Sequence, residues 1–292
     1  MALSVREKPL LRELTTLGLG GTALAEAVAR AESDLDELSG FFARYGGRPF
    51  VLGGGSNILA LDADSDLVLV SVRNADLPEA QTASGALVRV GAGLPLPRLL
   101  KFCEDAGLSG LESLAGIPGR VGGAVAMNAG SYGAEMKDLL ARVRLWTPDR
   151  GLFWVEARDC VFGYRHFEAP VGVGRHLIWE AEFSLVPADP AAVRAKARET
   201  IKHKKATQPV SARSAGCVFK NPAGKSAGML LDQAGFKGRR LGGMAFSDLH
   251  ANFLVNLGGG RSAEALELLD TARAAVLDRF GERLETEVII LS

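Results

Sequence analysis

Residues 51–60, "VLGGGSNILA", run from an apolar strand-like start into three glycines, Ser56 and Asn57, and then back into apolar residues. Successive glycines free backbone N–H groups to form an anion-holding nest, and Ser56 and Asn57 add side-chain donors. The plainer reading is a tight hairpin turn, which needs one or two glycines rather than three. The stretch alone leaves both readings open.

Upstream, "GLGGTA" (18–23) fits the G-x-G-x-x-A dinucleotide pattern. That fingerprint needs a strand, a turn and then a helix, because the pyrophosphate sits on the helix N-terminus. Here "LLRELTTL" is a poor strand, and "LAEAVA" after the glycines looks like a strand rather than a helix. The Rossmann reading therefore fails. Downstream, "FKNPAGKS" (219–226) ends like a Walker A loop, but its first required glycine falls on Phe219. A bulky aromatic cannot let the loop wrap a phosphate.

The elements around these stretches mix helix and strand without regular βαβ alternation, so an α+β fold is expected. "AEAVA", "PFVL" (49–52) and "DLVLVSV" read as strands, and "SDLDELSGFFARYG" (33–46) reads as one amphipathic helix with Ser33 as N-cap. Residues 110–136, "GLESLAGIPGRVGGAVAMNAGSYGAEM", form a second Gly-rich stretch, read as a loop wall against which a flat cofactor lies. "HLIWEAEFSLVP" (176–187) is a strand. "DPAAVRAKARETIKHKKA" (189–206) starts a helix with Asp189 as N-cap and Pro190 at N1, and its "KHKK" end reads as a solvated C-terminus. A long helix "SAEALELLDTARAAVLDRFG" and a strand "LETEVIIL" close the chain.

The 292 residues exceed the usual single core, so two or three subdomains are expected. With 34 basic and 34 acidic residues the net charge is zero, which argues against nucleic acid or an anionic membrane as the main partner. No secretory leader or membrane span is read, and Cys103, Cys160 and Cys217 are far apart, so no metal site or disulfide is expected. A cytoplasmic location follows, with no obligate protein partner evident.

Seven segments then carry a resemblance. "TTLGLGG", "VLGGGSNIL", "GIPGRVGGAVAMNAGSYG", "FGYR", "AGCVFKNP", "LLDQAGFKG" and "LETEV" stand in the order found in the UDP-N-acetylenolpyruvoylglucosamine reductase (MurB) family. They span residues 15–288, and the chain is similar to the shorter, type II form. The resemblance implies an α+β FAD-binding fold of the vanillyl-alcohol-oxidase type in two subdomains, 1–75 and 76–205, plus an α+β substrate-binding domain, 206–292. It implies FAD as cofactor and NADPH as co-substrate. The reaction implied is reduction of UDP-N-acetylglucosamine enolpyruvate to UDP-N-acetylmuramate for peptidoglycan synthesis, with hydride from flavin N5 to the vinyl terminus. FAD would be held by Leu52, Gly53, Gly54, Gly55, Ser56 and Asn57, and by Gly116, Ile117, Pro118, Gly119, Val121, Gly122, Gly123, Ala124, Asn128 and Ala129.

The developing enolate needs cations or donors aimed at it, and the carbon alpha to the carboxylate needs a proton from a fixed direction. Arg165 in "FGYR" matches the family's catalytic arginine; its planar fork suits a carboxylate. Tyr164 beside it would contact substrate. Strand alternation puts Glu285 and Glu287 of "LETEV" on one face, so spacing cannot choose between them; the resemblance points to Glu287. Lys220, Asn221 and Gln233 match substrate-contacting positions, while His250 reads as a structural histidine. At Cys217 the family most often has serine as proton donor. A thiol, with a typical pKa near ~8.5, is the stronger acid and still mostly protonated at neutral pH. Taken out of context, a lone cysteine is more often a small buried hydrophobe, the reading given to Cys103 and Cys160. The competing function is another FAD oxidoreductase of the same fold acting on a small alcohol or hydroxy acid. A non-enzymatic flavin- or UDP-sugar-binding module is the third reading.

Overall fold

The computed structural model describes residues 3–75, 78–81, 86–172 and 176–292, so the residue at the expected 75/76 boundary, Asp76, lies outside the described residues. The chain divides into two compact units. Met1–Glu7, Leu24–Gly54 and Leu67–His203 make the first, and Lys8–Ala23, Gly55–Asp66 and Lys204–Ser292 the second. The glycine nest straddles one crossing, with Gly53 and Gly54 in the first unit and Gly55 in the second.

Two larger sheets frame the first unit. Leu67–Val72 is buried at all six positions, and it pairs in parallel with Ala25–Ala29 on one side and Arg48–Val51 on the other. A run of this kind, aliphatic but for Ser71, suits a strand covered on both faces. Ser4–Glu7 closes the edge antiparallel to Ala25–Ala29. In the second sheet the order is Gly151–Glu156, Leu140–Thr147, Leu177–Pro187, Ala86–Gly91 and Glu79–Gln81, with every pairing antiparallel. Helix Leu96–Ala106 buries Leu96, Leu99, Leu100 and Cys103 along one stripe. It stops at Gly107, where φ is +66° and an added Cβ would stand 2.5 Å from the Ala188 carbonyl oxygen. Left-handed backbone at a helix end favours glycine.

Three local expectations differ from the structure. The helix read as 33–46 is two helices, Glu32–Asp36 and Leu38–Tyr45. Its start is held by Asp34, whose carboxylate accepts the N–H groups of Arg30 and Ala31, and not by Ser33. The "GIPGRVGG" loop contains a short helix, Val121–Ala126, which its glycines concealed. The helix Pro190–Thr207 does begin as expected, with Ala191 N–H donating to Asp189 Oδ1 at 3.3 Å. Its basic end is not wholly solvated, however: Lys204 is 3% exposed, and burial pushes its ammonium pKa down to about 8.

The second unit is built on the antiparallel sheet Ser214–Cys217, Phe253–Asn256, Met244–Phe246 and Arg240–Leu241, in that order. Helix Ser262–Phe280 buries Ala265, Leu268, Leu269, Ala272 and Val276, the spacing of a single helical face. These residues join a core with Phe219, Phe236 and Phe246. Ile289–Leu291 pairs in parallel with Ile58–Ala60. "LETEV" itself is therefore not a regular strand; it touches its neighbour through one isolated bridge, Phe219 to Thr286.

Candidate active site

In the first unit the two glycine-rich stretches meet backbone to backbone. A Cβ on Gly54 would lie 2.7 Å from Gly119 Cα, and one on Gly53 would lie 3.7 Å from Gly123 Cα. Side chains here would force the two loops apart. The second loop is pinned to the sheet by Val121 N–H on the Leu94 carbonyl and Gly122 N–H on the Ala92 carbonyl. Leu52, Val121, Ala124 and Ala129 have buried side chains, so a ligand would meet them through backbone, whereas Gly116 and Pro118 are exposed.

Strain concentrates beyond this cradle. Among the described residues, four non-glycine residues adopt positive φ, and three of them are Asn128 (+40°), Tyr132 (+51°) and Arg165 (+54°). Such backbone costs on the order of 1–3 kcal/mol and gathers at functional sites. Asn128 is fully buried. Its Nδ2 donates to Glu135 Oε2 and to the Gly163 carbonyl, each at 3.0 Å, and its Oδ1 accepts the Lys137 N–H. Its amide thus ties the "MNAG" turn to the turn end of the hairpin Val161–Gly163/His166–Glu168. Tyr164 and Arg165 are the two turn residues of that hairpin. The Arg165 Cζ lies 4.8 Å from the Tyr164 ring centroid, and its Nη2 donates to the Gly130 carbonyl at 3.3 Å. Asn128, read as a cofactor contact, uses its side chain inside the protein. Tyr132, which was not singled out, places its hydroxyl 2.7 Å from His203 Nδ1.

In the second unit Cys217 ends the strand Ser214–Cys217 and is half-buried. Gly216 before it has φ +79°, where the pairing of this strand with Phe253–Asn256 shifts register. The adjoining residues are held on two sides. Asn252, 2% exposed, donates Nδ2 to the Phe219 carbonyl at 2.8 Å and accepts the Phe219 N–H at 3.0 Å. On the other side Glu287 N–H donates to the Val218 carbonyl at 2.8 Å, and Lys220 N–H donates to the Glu285 carbonyl at 2.8 Å. The Cys217 strand and the "LETEV" segment are thereby neighbours. Asn57, from the glycine nest, donates Nδ2 to the Glu287 carbonyl at 3.1 Å and accepts the Ile289 N–H.

The two glutamates separate where spacing could not separate them. Glu285 is exposed and sits 3.3 Å from Lys220 Nζ, while Glu287 is half-buried. Asn221 Oδ1 accepts the Ala227 N–H and so helps begin helix Ala227–Gln233, leaving its NH2 group as a donor. Ser226 Oγ caps the same helix, and Lys225 pairs with Glu282, so the Walker-like residues serve local structure. The "GLGG" stretch is likewise a packing device: a Cβ on Gly20 would stand 2.6 Å from Leu11 Cβ. His250 accepts the Asn252 N–H through Nδ1, and burial lowers its pKa, which favours the neutral ring of a structural histidine.

Asn252 is a residue the sequence reading missed, because a lone Asn in "DLHANF" carries no pattern of its own. We expect Asn252→Ala to lower stability by about 2–4 kcal/mol, since it strands a buried N–H and a buried carbonyl together. Urea unfolding should show a lower midpoint with an unchanged slope. A loss below about 0.5 kcal/mol, the range of ordinary surface changes, would mean that Phe219 is held by something else.

The glycine cradle of the first unit, Gly53 and Gly54, is space that a Cβ would fill, and it suits a dinucleotide flavin. Comparison with known proteins agrees. A model described as an FAD binding domain matches residues 23–155, and one described as the UDP-N-acetylenolpyruvoylglucosamine reductase C-terminal domain matches 208–291. The UDP-N-acetylenolpyruvoylglucosamine reductase of Nitratidesulfovibrio vulgaris is 52% identical over 99% of each chain. That of Oleidesulfovibrio alaskensis is 50% identical over 97% of this chain and 96% of its own. The crystal structure of UDP-N-acetylenolpyruvylglucosamine reductase from Thermus caldophilus superimposes with a TM-score of 0.83 at 34% identity, covering 99% of this chain and all of that one. With identity this high along the whole length, and both halves matched, the chain belongs to the UDP-N-acetylenolpyruvoylglucosamine reductase family.

Proposed function

We propose that this chain reduces UDP-N-acetylglucosamine enolpyruvate to UDP-N-acetylmuramate with NADPH, and that Cys217 gives the proton. The reading is carried by the 52% identity, along 99% of both chains, to a reductase named for that substrate. When bound, FAD supplies two-electron hydride chemistry between NADPH and the vinyl carbon. The protein's own task is to hold the carboxylate, fix the face of attack and deliver one proton.

Arg165 is suited to the carboxylate. Its fork can engage both oxygens as negative charge grows there, and the hairpin turn fixes its backbone in a conformation flexible loops avoid. Cys217 Sγ then donates its proton to the carbon alpha to the carboxylate, which closes a C–H bond and leaves a thiolate. Solvent restores that proton before the next turnover. Glu287 is the acidic member of the site, its backbone clamped by Val218 and Asn57; Glu285 is engaged with Lys220. For the UDP-sugar we assign Tyr164, the Asn221 NH2 group, Gln233 and Lys220, with Lys220 exchanging its Glu285 contact for a phosphate.

The division of labour we propose places the cofactor on residues 1–75 and 76–205, and the substrate on 206–292. Among the described residues no helix is long and apolar enough to cross a membrane. The three cysteines are far apart in the sequence, which suits a reducing compartment, and we place the reaction in the cytoplasm. The purified protein should be yellow, bleach with NADPH and regain its colour with the enolpyruvyl sugar. Protein that takes up no FAD, or colour that returns only with oxygen, would overturn this reading.

A further inference from the structure

Two arginines near the glycine cradle have no assigned task. Arg73 follows the central strand Leu67–Val72, and Arg120 lies between Gly119 and the short helix Val121–Ala126. Arg73 Nη1 donates to its neighbour's carbonyl, Val72 O, at 2.9 Å and reaches the carbonyl of Gly53 in the cradle at 3.4 Å. Arg120 Nη1 donates to the Gly93 carbonyl, and its Nε is buried without a hydrogen-bond partner. The Gly93 turn and Arg73 are in close approach, since a Cβ on Gly93 would stand 2.7 Å from Arg73 Cα. The Arg120 guanidinium thus lies on the turn packed against the Arg73 backbone, while that of Arg73 lies on the cradle, near enough for the two charges to repel.

The charges there do not balance. Arg120, Arg30 and Arg6 all repel Arg73, and the carboxylate acting on it is Glu26. Glu26 is buried, paired with Arg6 at 2.5 Å and accepting the Ser71 hydroxyl at 2.6 Å. Neither Arg73 nor Arg120 has an ion-pair partner among the described residues. Burial and the Arg120 charge bring the Arg73 pKa down to about 10. Burial also lowers that of Arg120. Two partly desolvated cations side by side are costly unless an anion completes them.

We propose that Arg73 and Arg120 form an anion subsite for the diphosphate of the flavin dinucleotide, adding fixed positive charge to the Gly53–Gly54 cradle. The glycines let the backbone approach the phosphates, and the arginines neutralise them. Charge-assisted contacts from a planar fork are the strong kind, and they matter most where water is thinned out. The proposal rests on the cofactor reading above and specifies which side chains serve it.

The test is flavin binding to the flavin-depleted full-length chain, followed by flavin fluorescence, with FAD and riboflavin as separate probes. Arg120→Gln and Arg73→Gln should each raise the FAD Kd about ten- to hundredfold, the range for a lost hydrogen bond to a charged group. Riboflavin has no phosphate, so its Kd should not change, which also shows that each variant is folded around the flavin. Arg120→Lys keeps the charge without the fork and should fall between parent and Gln variant. The KM for NADPH should hold; a rise confined to it would assign the pair to the other dinucleotide and overturn the proposal. Equal losses for riboflavin and FAD, or no loss for FAD, would also overturn it. Failure of the unsubstituted protein to bind FAD would instead remove the cofactor reading.

Discussion

Cys217→Ala is expected to let NADPH bleach the flavin absorbance at close to the parent rate, while the enolpyruvyl sugar restores the colour about 10²- to 10⁴-fold more slowly. That range is what a positioned general acid contributes. The split follows from where the proton is needed: hydride transfer from NADPH requires none from Cys217, whereas completing the product requires one at the carbon alpha to the carboxylate. Cys217 is half-buried and follows the positive-φ Gly216, and Val218 and Phe219 after it are anchored by Glu287 and Asn252. Alanine preserves that backbone, so the loss is not a folding effect. Cys217→Ser should remain active. In the parent, the acid must be protonated to act, so the oxidative half-reaction should fall as pH rises through the thiol pKa, ordinarily near ~8.5. A serine hydroxyl does not ionise in that range, so the alkaline limb should vanish in Cys217→Ser. Peroxide should inactivate the parent and spare the serine variant, because the thiolate is the oxidised form. Near-normal reoxidation in Cys217→Ala would remove Cys217 from the chemistry.

Much of the scaffold was legible because its signals are local. Leu67–Val72 declares itself by a run that is aliphatic but for Ser71, and Asp189-Pro190 marks the start of helix Pro190–Thr207 by chemistry that any chain obeys. Val121–Ala126 was missed because two of its six residues are glycines, poor helix formers that tertiary contacts with Leu94 and Ala92 override. The break at Glu37 was missed because the hydrophobic period continues across it. "LETEV" alternates like a strand, yet lies on its neighbour through one bridge and backbone bonds to Val218 and Lys220. Long-range assembly was not legible. Nothing local says that Lys8–Ala23 and Gly55–Asp66 belong with Lys204–Ser292. The motifs carried Arg165, Cys217 and Glu287 only through their order along the chain. Arg73, Arg120 and Asn252 stood in no repeating pattern, and only geometry reveals what they touch.

Arg165 allows stability and chemistry to be separated by three substitutions. At φ +54° a side chain with a Cβ costs roughly 1–2 kcal/mol that glycine avoids. Glycine returns about 0.5–1 kcal/mol of that through the unfolded chain's extra freedom. It also loses the stacking on Tyr164, worth about 0.5–1 kcal/mol at an exposed site. Losing the Nη2 hydrogen bond to the Gly130 carbonyl costs about 0.5–1.5 kcal/mol more, and the sum keeps Arg165→Gly within about 1 kcal/mol of its parent. Arg165→Met keeps the backbone cost and an apolar stem, and loses the charge with its contacts to Gly130 and Tyr164. Both variants should slow the oxidative half-reaction by about 10²- to 10³-fold, the typical cost of removing one donor from a developing oxyanion. NADPH should bleach both at the parent rate. Arg165→Lys keeps a charge but not a fork that grips two carboxylate oxygens, and should recover only part of the loss. The decisive comparison is between the half-reactions within each variant. A parallel fall in both would show that Arg165 holds the hairpin or the reductant, whereas a fall in the oxidative step alone, in a protein as stable as its parent, would place the guanidinium on the substrate carboxylate.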